Sequence, residues 1–361
     1  GVYRSTDAGE SWTRVGLERT GRIGRIVVHP GDPDTAWVAA LGNLYTPHEE
    51  RGVFRTRDGG ASWERVLFVD EHTGAIDLVL DPTNPRILYA ATWQMEIRTW
   101  GRWSGGPGSG LFKSTDGGDS WSRLQGNGLP RGPWGKIGLA LSADDPDRLW
   151  ALIETNSNPD YCTTGRLSES SPEPCPEGPE SVPIEFQGVL WRSENAGESW
   201  RMINPDNTHA QRPLYYTRMA AAPDNANERV FVAVQQSISH DGGVSIEEQN
   251  SGWDHHDVWI DPVDPDRRIV GHDGGVSITH NRGESWHRPQ LPAAQMYHVA
   301  VDDRVPYWLY GNRQDGPSFR GPSRTLTGES EIPIGAWHSV GGFAVGFAVR
   351  VPGRDGVGSG C

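Results

Sequence analysis

The side chains best suited to chemistry in this chain are carboxylates in short polar segments. Two such segments supply four candidate catalytic acids, Glu49, Glu50, Asp254 and Asp257. A glycoside hydrolase needs two carboxyl groups flanking the scissile bond, one as general acid and the other as base or nucleophile. Adjacency in sequence does not give their separation across a cleft, so solvated loop charges are the alternative interpretation.

Two adjacent histidines, His255 and His256, lie between two of these acids. Imidazoles flanked by carboxylates are typical of metal sites and of acid–base pairs. Neighbouring residues of a strand point to opposite faces of the sheet, however, so the two rings are not expected to share one site. We therefore predict no metal and no cofactor, and either ordinary hydrogen-bonded histidines or separate ligand contacts.

A glycine-flanked insertion rich in tryptophan gives the clearest indication of ligand binding. It contains Trp93, Gln94, Trp100 and Trp103. Several indole rings in one inserted loop suit stacking on sugar faces or gripping an extended peptide, and packing over a sheet edge is the alternative. Other polar and aromatic loop residues complete the candidate ligand-binding set: Tyr45, His48, His255, His256, His272, Asp273, Gln314, Asp315 and Arg320.

The elements that must position these residues follow from a repeated pattern, Ser/Thr-x-Asp-x-Gly-x-x-Trp. It occurs at residues 5–12, 56–63 and 114–121, with looser copies at 193–200, 239–246 and 279–286. An Asp or Asn side chain accepts hydrogen bonds from nearby backbone N–H groups and glycine tolerates positive φ, so each copy predicts a hairpin turn. We assign a structural role to the residue at the acid position of each copy: Asp7, Asp58, Asp116, Asn195, Asp241 and Asn281.

A second repeat alternates with these turns: an apolar strand, a turn rich in Pro and Asp, and another apolar strand. Residues 76–80, 81–85 and 87–90 show it clearly. Proline cannot continue a central strand, so each turn separates two strands. One period therefore holds four strands, and four-stranded units that recur at roughly 40–50 residues predict a β-propeller. Ligands are then expected on the face opposite the repeated turns.

The predicted fold is all-β, a single β-propeller of about seven four-stranded blades with Asp-box turns over residues 1–340. Residues 1–15 supply the outer strands of the first blade, a surface insertion occupies 156–187, and 341–361 form either a closing strand or a frayed tail. Because the chain begins inside a blade, we expect further propeller repeats upstream. The remaining blades are expected near residues 22–68, 74–125, 135–203, 214–249, 255–289 and 296–340.

Composition excludes several functions. A net charge of −14 argues against a nucleic-acid partner, because phosphate binding needs a basic face. No apolar run approaches the roughly 18 residues of a membrane span. Cys162 and Cys175 lie in the polar insertion and are predicted to form a disulfide, with two reduced thiols as the alternative. The disulfide would place the protein outside the cytoplasm, as a secreted, periplasmic or cell-surface protein.

Six segments carry a resemblance to a known group of proteins: 21–30, 50–54, 90–94, 257–262, 272–275 and 294–299. They resemble bacterial Asp-box (BNR repeat) propellers related to the sortilin-type receptor domain and to xyloglucanase-type glycoside hydrolases. The resemblance covers residues 1–340 and implies a propeller, of which this chain is a fragment. The catalytic acids of that group match no residue here, so the resemblance does not imply activity. Sialidases also carry Asp boxes, but their Arg-Ile-Pro element is absent, which argues against that class.

Three functional hypotheses remain open at this point. The first is an extracytoplasmic propeller that binds a glycan or an extended peptide on the face opposite the Asp boxes. The second is a glycoside hydrolase of the xyloglucanase-like type that uses two loop carboxylates. The third is a scaffold for protein assembly.

Overall fold

The computed structural model divides the chain into two compact units, Gly1–Arg288 and Pro289–Cys361. Each unit is described by itself. The structure describes residues 1–130, 133–154, 166–167, 190–205, 209, 212–213, 215–289, 291, 295–314, 317–325, 332–343, 348–350 and 358–360. The predicted disulfide pair, Cys162 and Cys175, and the candidate Asp315 lie outside these residues.

The described residues of the first unit form six antiparallel sheets that follow one another along the chain. The first sheet has two strands, β1 (Tyr3–Arg4) and β2 (Thr13–Arg14). The second has β3 (Ile23–His29), β4 (Asp32–Ala40), β5 (Gly52–Thr56) and β6 (Glu64–Leu67). The third has β7 (Thr73–Leu80), β8 (Leu88–Arg98), β9 (Gly101–Ser104), β10 (Gly110–Ser114) and β11 (Ser122–Leu124).

The next three sheets repeat the same plan. The fourth has β12 (Ile137–Leu141) and β13 (Leu149–Ile153), then β15 (Leu190–Ser193) and β16 (Arg201–Asn204), while β14 (Arg166–Leu167) pairs with β9 of the third sheet. The fifth has β17 (Arg218–Ala221), β18 (Arg229–Val232), β19 (Gln236–Ser239) and β20 (Glu247–Gln249). The sixth has β21 (His255–Ile260), β22 (Arg268–His272) and β23 (Gly275–Thr279).

The first strands of successive sheets lie side by side in chain order. β3 contacts β7, β7 contacts β12, β12 contacts β17, and β17 contacts β21. Apolar side chains fill the space between sheets, as where Trp37 and Val53 of the second sheet cluster with Leu78 and Leu88 of the third. The described residues contain no α-helix. The predicted all-β propeller fold is confirmed.

Each Asp-box turn is held by its own side chains. Asp58 accepts hydrogen bonds from the backbone N–H of Ser62 at 2.9 Å and from the Ser62 hydroxyl at 2.6 Å. The Thr56 hydroxyl donates to the same carboxylate at 2.7 Å and accepts from the N–H of Gly60 at 2.9 Å. Gly59 and Gly60 both have positive φ, which explains the glycine pair. These bonds, led by those from Ser62, lower the pKa of Asp58 from 3.8 to about 2.

Asparagine makes the same turn without the charge. The Asn195 side chain accepts from the Ser199 N–H at 2.9 Å and donates to the Ser199 hydroxyl at 2.9 Å. Asp58, in contrast, accepts from both the N–H and the hydroxyl of Ser62. Asn281 makes the equivalent pair of bonds with Ser285, each at 3.0 Å. What the turn needs is therefore an acceptor oxygen at this position, and not a negative charge.

We expect Asp58→Asn to retain nearly the whole thermal stability of the wild type and Asp58→Ala to lower the melting temperature. The alanine variant leaves the Ser62 N–H and both hydroxyls without their acceptor, whereas the amide oxygen replaces it. Differential scanning calorimetry at neutral pH compares the two variants. Equal melting temperatures for Asn and Ala would show that the side-chain bonds do not stabilise the turn.

The interfaces between successive sheets are here called seams. At each seam among the first five sheets the same type of contact recurs, here called the box clamp. A cation at the end of the strand before one Asp-box turn donates to a backbone carbonyl in the Asp-box turn of the next sheet. The pairs are Arg4 with Gly59 (3.3 Å), Arg55 with Gly117 (2.8 Å), Lys113 with Ala196 (2.7 Å) and Arg192 with Gly242 (3.0 Å). In the last three, an aromatic side chain of the neighbouring strand donates to the same oxygen: Trp37 (3.0 Å), Tyr89 (2.9 Å) and Trp150 (3.4 Å).

The second unit contains a seventh sheet, formed by β24 (Met296–Val301), β25 (Trp308–Arg313), β26 (Pro317–Pro322) and β27 (His338–Phe343). A short 3-10 helix, Ile334–Ala336, precedes β27. β28 (Ala348–Arg350) pairs with β29 (Gly358–Gly360). Within 341–361, predicted as a closing strand or a frayed tail, residues 341–343 belong to β27 and 348–350 pair with 358–360.

Candidate functional site

The antiparallel connections place the candidate residues at one end of the sheets. In the second to fifth sheets the Asp-box turn joins the last two strands. The loops joining the second and third strands, and those joining one sheet to the next, lie at the opposite end. We call this end of the first unit the loop face. The hairpin of β8 and β9 extends from it, and the segments before β7, β12, β17 and β21 lie on it.

A cluster of charged residues lies among the first strands of the sheets. The Asp77 carboxylate, 3% exposed, contacts Arg25 Nε at 3.1 Å and Arg218 Nη1 at 3.6 Å, and it accepts the backbone N–H of Leu139 at 2.9 Å. Arg25 also contacts Asp257 of β21 at 3.4 Å. Burial opposes ionisation of Asp77, but the positive charges of Arg25 and Arg218 hold its pKa below the usual range. The cluster therefore joins four sheets through one ionised carboxylate.

Lys136, next to this cluster, is a buried amine. Only 7% of the residue is exposed; its Nζ donates to the Tyr215 carbonyl at 3.4 Å and lies 5.5 Å from the centre of the Trp93 ring. Burial, and next the positive charge of Arg218, lower the pKa of Lys136 to about 7. The nearby Glu154 is also buried, and burial raises its pKa. The Lys136 amine is therefore partly neutral at neutral pH in the folded protein.

We expect the stability of the protein to depend on pH through Lys136. Folding lowers its pKa from 10.5 to about 7, so the unfolded state binds more protons between these values. Its contribution to the free energy of unfolding then rises from about pH 7 to about pH 10.5 and is constant below pH 7. Urea unfolding of the wild type and of Lys136→Met across this pH range measures the contribution of Lys136. A stability difference that stays constant with pH would contradict the low pKa.

A cavity of about 270 Å3 opens beside the β8–β9 hairpin on the loop face. Trp103, Met95 and two prolines form its apolar walls, and Gln94, Glu96 and His72 are its polar groups; Pro107 and Pro133 are the prolines. The Gln94 side-chain oxygen accepts the N–H of Gly108 at 3.0 Å, which fixes the amide in place. A few polar groups in a largely apolar cavity are typical of a small-ligand site.

Aromatic and cationic side chains continue from this cavity along the loop face. Trp100, at the tip of the hairpin, is 68% exposed and lies under the Arg98 guanidinium at 5.9 Å. Arg102 donates to the Tyr215 hydroxyl at 2.9 Å and lies over its ring. The hairpin thus carries an exposed indole, Trp100, and contacts the exposed Tyr215 through Arg102, which gives flat apolar surfaces beside hydrogen-bonding groups.

The four candidate catalytic acids each contact a group of the chain itself. Glu49 pairs with Arg19 at 2.8 Å, and Glu50 accepts from the Thr20 hydroxyl at 2.9 Å. Asp254 accepts from the Tyr216 hydroxyl at 2.6 Å. Asp257 pairs with Arg25, as described above, while 54% of its side chain stays exposed. A catalytic role stays a prediction for all four.

Two of the predicted ligand-binding residues, Trp93 and His255, are buried. Trp93 is 3% exposed, belongs to a hydrophobic core and donates from Nε1 to the Ser104 hydroxyl at 3.0 Å. His255 is fully buried; its Nε2 is 3.0 Å from the Ser251 hydroxyl, and burial lowers its pKa to about 4. In both cases the alternative interpretation, a packed or hydrogen-bonded structural residue, describes the side chain.

The other candidates are distributed over both units. His256 Nε2 lies 3.0 Å from the Asp273 carboxylate, and His272 is nearly buried with Nε2 3.0 Å from the Ser277 hydroxyl. Tyr45 is exposed beneath Arg22, and His48 Nδ1 accepts the N–H of Glu50 at 3.2 Å. In the second unit Gln314 accepts from the Tyr297 hydroxyl at 2.7 Å, and the Arg320 guanidinium lies 5.4 Å from the Trp308 ring centre.

Sequence reasoning did not single out Arg25, Asp77, Lys136 and Arg218. A signal for them was present, because each is a charged residue in or next to an otherwise apolar first strand. Within the described ranges, no group of three or more His, Cys, Asp or Glu side chains is arranged to hold a metal ion. The same ranges contain no helix long and apolar enough to cross a membrane.

Parts of this chain are similar to known proteins in sequence, and its fold is similar to solved structures. Residues 1–167 match the family model of Sortilin-Vps10, described as sortilin, neurotensin receptor 3. A xyloglucanase of Paenibacillus sp is 29% identical over 132 residues, which cover 34% of this chain and 12% of that enzyme. A crystal structure of an ancestral GH74 enzyme aligns over 98% of this chain and 45% of its own, with a TM-score of 0.53 and 14% identity.

YCF48 from Cyanidioschyzon merolae also aligns, over 86% of this chain and 84% of its own, with 15% identity and a TM-score of 0.44. The predicted resemblance is confirmed: the fold is a β-propeller, residues 1–167 match the sortilin family model, and part of the chain is similar to a xyloglucanase. It spans less than half the length of the xyloglucanase and of the GH74 enzyme that it matches.

Proposed function

We propose that this propeller binds a glycan or an extended peptide on its loop face. The observation that carries the proposal is the cavity lined by Trp103, Gln94 and Glu96, which continues into the exposed aromatic groups of the β8–β9 hairpin. An indole wall beside an amide and a carboxylate suits a sugar ring, whose C–H face stacks while its hydroxyls form hydrogen bonds. The open hairpin would extend the contact to neighbouring units of a chain-like ligand.

A second candidate function is hydrolysis of a β-linked polysaccharide. The similarity to a xyloglucanase favours it, together with the half-exposed carboxylate of Asp257 beside Arg25. The required partner acid would come from the other candidates, Glu49, Glu50 or Asp254. We also propose a location outside the cytoplasm, which rests on Cys162 and Cys175 of the polar insertion.

A panel of soluble β-glucans and extended peptides separates the two functions. Isothermal titration calorimetry measures binding, and reducing-end release measures hydrolysis. Binding of a glucan or a peptide without turnover supports the proposed function. Turnover that is abolished by Asp257→Asn and also by one of Glu49→Gln, Glu50→Gln or Asp254→Asn would replace it with the hydrolase. Binding to none of the ligands would reject the loop-face proposal.

A further inference from the structure

The seam between the fifth and sixth sheets is built differently from the four before it. At each earlier seam the residue before the Ser or Thr of the Asp-box motif is the clamp cation, as with Arg55 before Thr56. In the fifth sheet that residue is Ile238, and its cross-strand neighbour is Val230, where the second, third and fourth sheets carry an aromatic donor. Neither side chain can donate to the Arg282 carbonyl, which occupies the acceptor position in the sixth sheet's turn.

A cavity of about 560 Å3 lies at this seam, between the outer strand β20 and the Asp-box turn of the sixth sheet. Its walls come from residues 248–250 and 283–286 and from Arg288. Arg288 is fixed at the rim, where it donates to the Asn250 carbonyl at 2.8 Å and the Ser251 carbonyl at 3.2 Å. The cavity is thus bordered by an indole, an amide pair, two glutamates and one immobilised arginine.

Two polar atoms in the cavity wall, the Trp286 Nε1 donor and the Gln249 Oε1 acceptor, are buried and have no hydrogen-bond partner. In three other turns the corresponding indole donates to the carbonyl of the glycine three residues earlier; these are Trp12 to Gly9 (3.0 Å), Trp121 to Gly118 (3.2 Å) and Trp200 to Gly197 (3.0 Å). Buried polar groups without partners are costly and call for an explanation, so an external group is expected to serve both atoms.

We propose that this seam binds a saccharide unit. A hydroxyl is both donor and acceptor, so one sugar hydroxyl can accept from Trp286 and donate to Gln249 when it displaces the Gln249 side chain from its buried position. Glu248 and Glu284 offer further acceptors, and the indole offers a stacking face. The excess of carboxylates disfavours an anionic ligand, and the free N–H donor disfavours a cation, so a neutral sugar fits best.

Protein labelled with 5-fluorotryptophan tests this proposal by 19F NMR, with cellotetraose as the probe. Trp286→Phe assigns the Trp286 signal, and Trp121→Phe assigns a matched tryptophan whose N–H is satisfied. We expect cellotetraose to shift the Trp286 signal saturably and to leave the Trp121 signal in place. Gln249→Met, which removes the acceptor at similar size, should weaken this binding roughly tenfold.

No saturable shift of the Trp286 signal, or an equal shift with glycerol or with a simple salt, would overturn the saccharide assignment. The result is separable from loop-face binding, because Trp103→Ala changes only the cavity beside the β8–β9 hairpin. If the seam site exists, the Trp286 response persists in Trp103→Ala. A response that disappears in that variant would show that the signal reports on the loop face and would reject a separate site.

Discussion

Replacing Trp150 with alanine is expected to lower the free energy of unfolding by about 3–5 kcal/mol. The ring is fully buried between the fourth and fifth sheets, where it packs with Leu190, Met219 and Phe231. Its Nε1 completes the box clamp at the Gly242 carbonyl, and the Arg229 guanidinium lies 3.2 Å from its ring centre. The substitution therefore leaves a cavity and removes the surface on which Arg229 lies.

Urea unfolding followed by circular dichroism measures this change. Trp12→Ala is the matched control, because Trp12 is mostly exposed and its removal leaves no buried cavity. We expect the control to change stability by at most about 1 kcal/mol. Equal losses for both variants would contradict the role of Trp150 as a joint between sheets.

Replacing Asp77 with alanine is expected to cost about 3–5 kcal/mol. Its carboxylate is the shared partner of Arg25 and Arg218, and it accepts the backbone N–H groups of Leu78 at 3.0 Å and Leu139 at 2.9 Å. Removal of the buried acid leaves two cations close together, without the group that joins four sheets. Removal of one member of a buried ionic cluster is costly because the remaining charge stays desolvated.

Asp257→Ala is the control for this prediction, since Asp257 also contacts Arg25 but is half exposed. Its loss is expected to stay below about 1 kcal/mol. The pKa of Asp77 is lower in the folded state, so its contribution is present above the ordinary value of 3.8 and is lost as the pH falls through the folded value. A stability gap between wild type and Asp77→Ala that remains unchanged in acid would contradict an ionised buried carboxylate.

Much of the fold could be predicted because one local rule recurs. The turn at Asp58 needs an acceptor side chain, a hydroxyl two residues earlier and glycines at positive φ, and this requirement is visible in the sequence. The box clamp was equally visible, as Arg4, Arg55, Lys113 and Arg192 hold one position of the repeat. The role of these cations depends on the next sheet, however. The repeat alone does not show which backbone carbonyl of the next sheet lies beside each cation.

The site was harder to predict because burial separates residues that look alike in sequence. Trp93 and Trp103 belong to one tryptophan-rich segment, yet the first lies in the core and the second lines a cavity. His255 and His256 are adjacent, and the alternation of the strand buries one and exposes the other. Lys136 approaches neutrality only because several sheets converge on it. These differences arise from packing between sheets that are distant in sequence.

Hydrogen–deuterium exchange with and without a bound ligand tests most directly whether the loop face is the binding face. With cellotetraose, or with a peptide selected from the binding panel, we predict slower exchange in residues 93–107, which form the β8–β9 hairpin and the cavity wall. Trp103→Ala should remove this protection while the fold remains intact. Saturable binding that leaves residues 93–107 unprotected would contradict the assignment of function to the loop face.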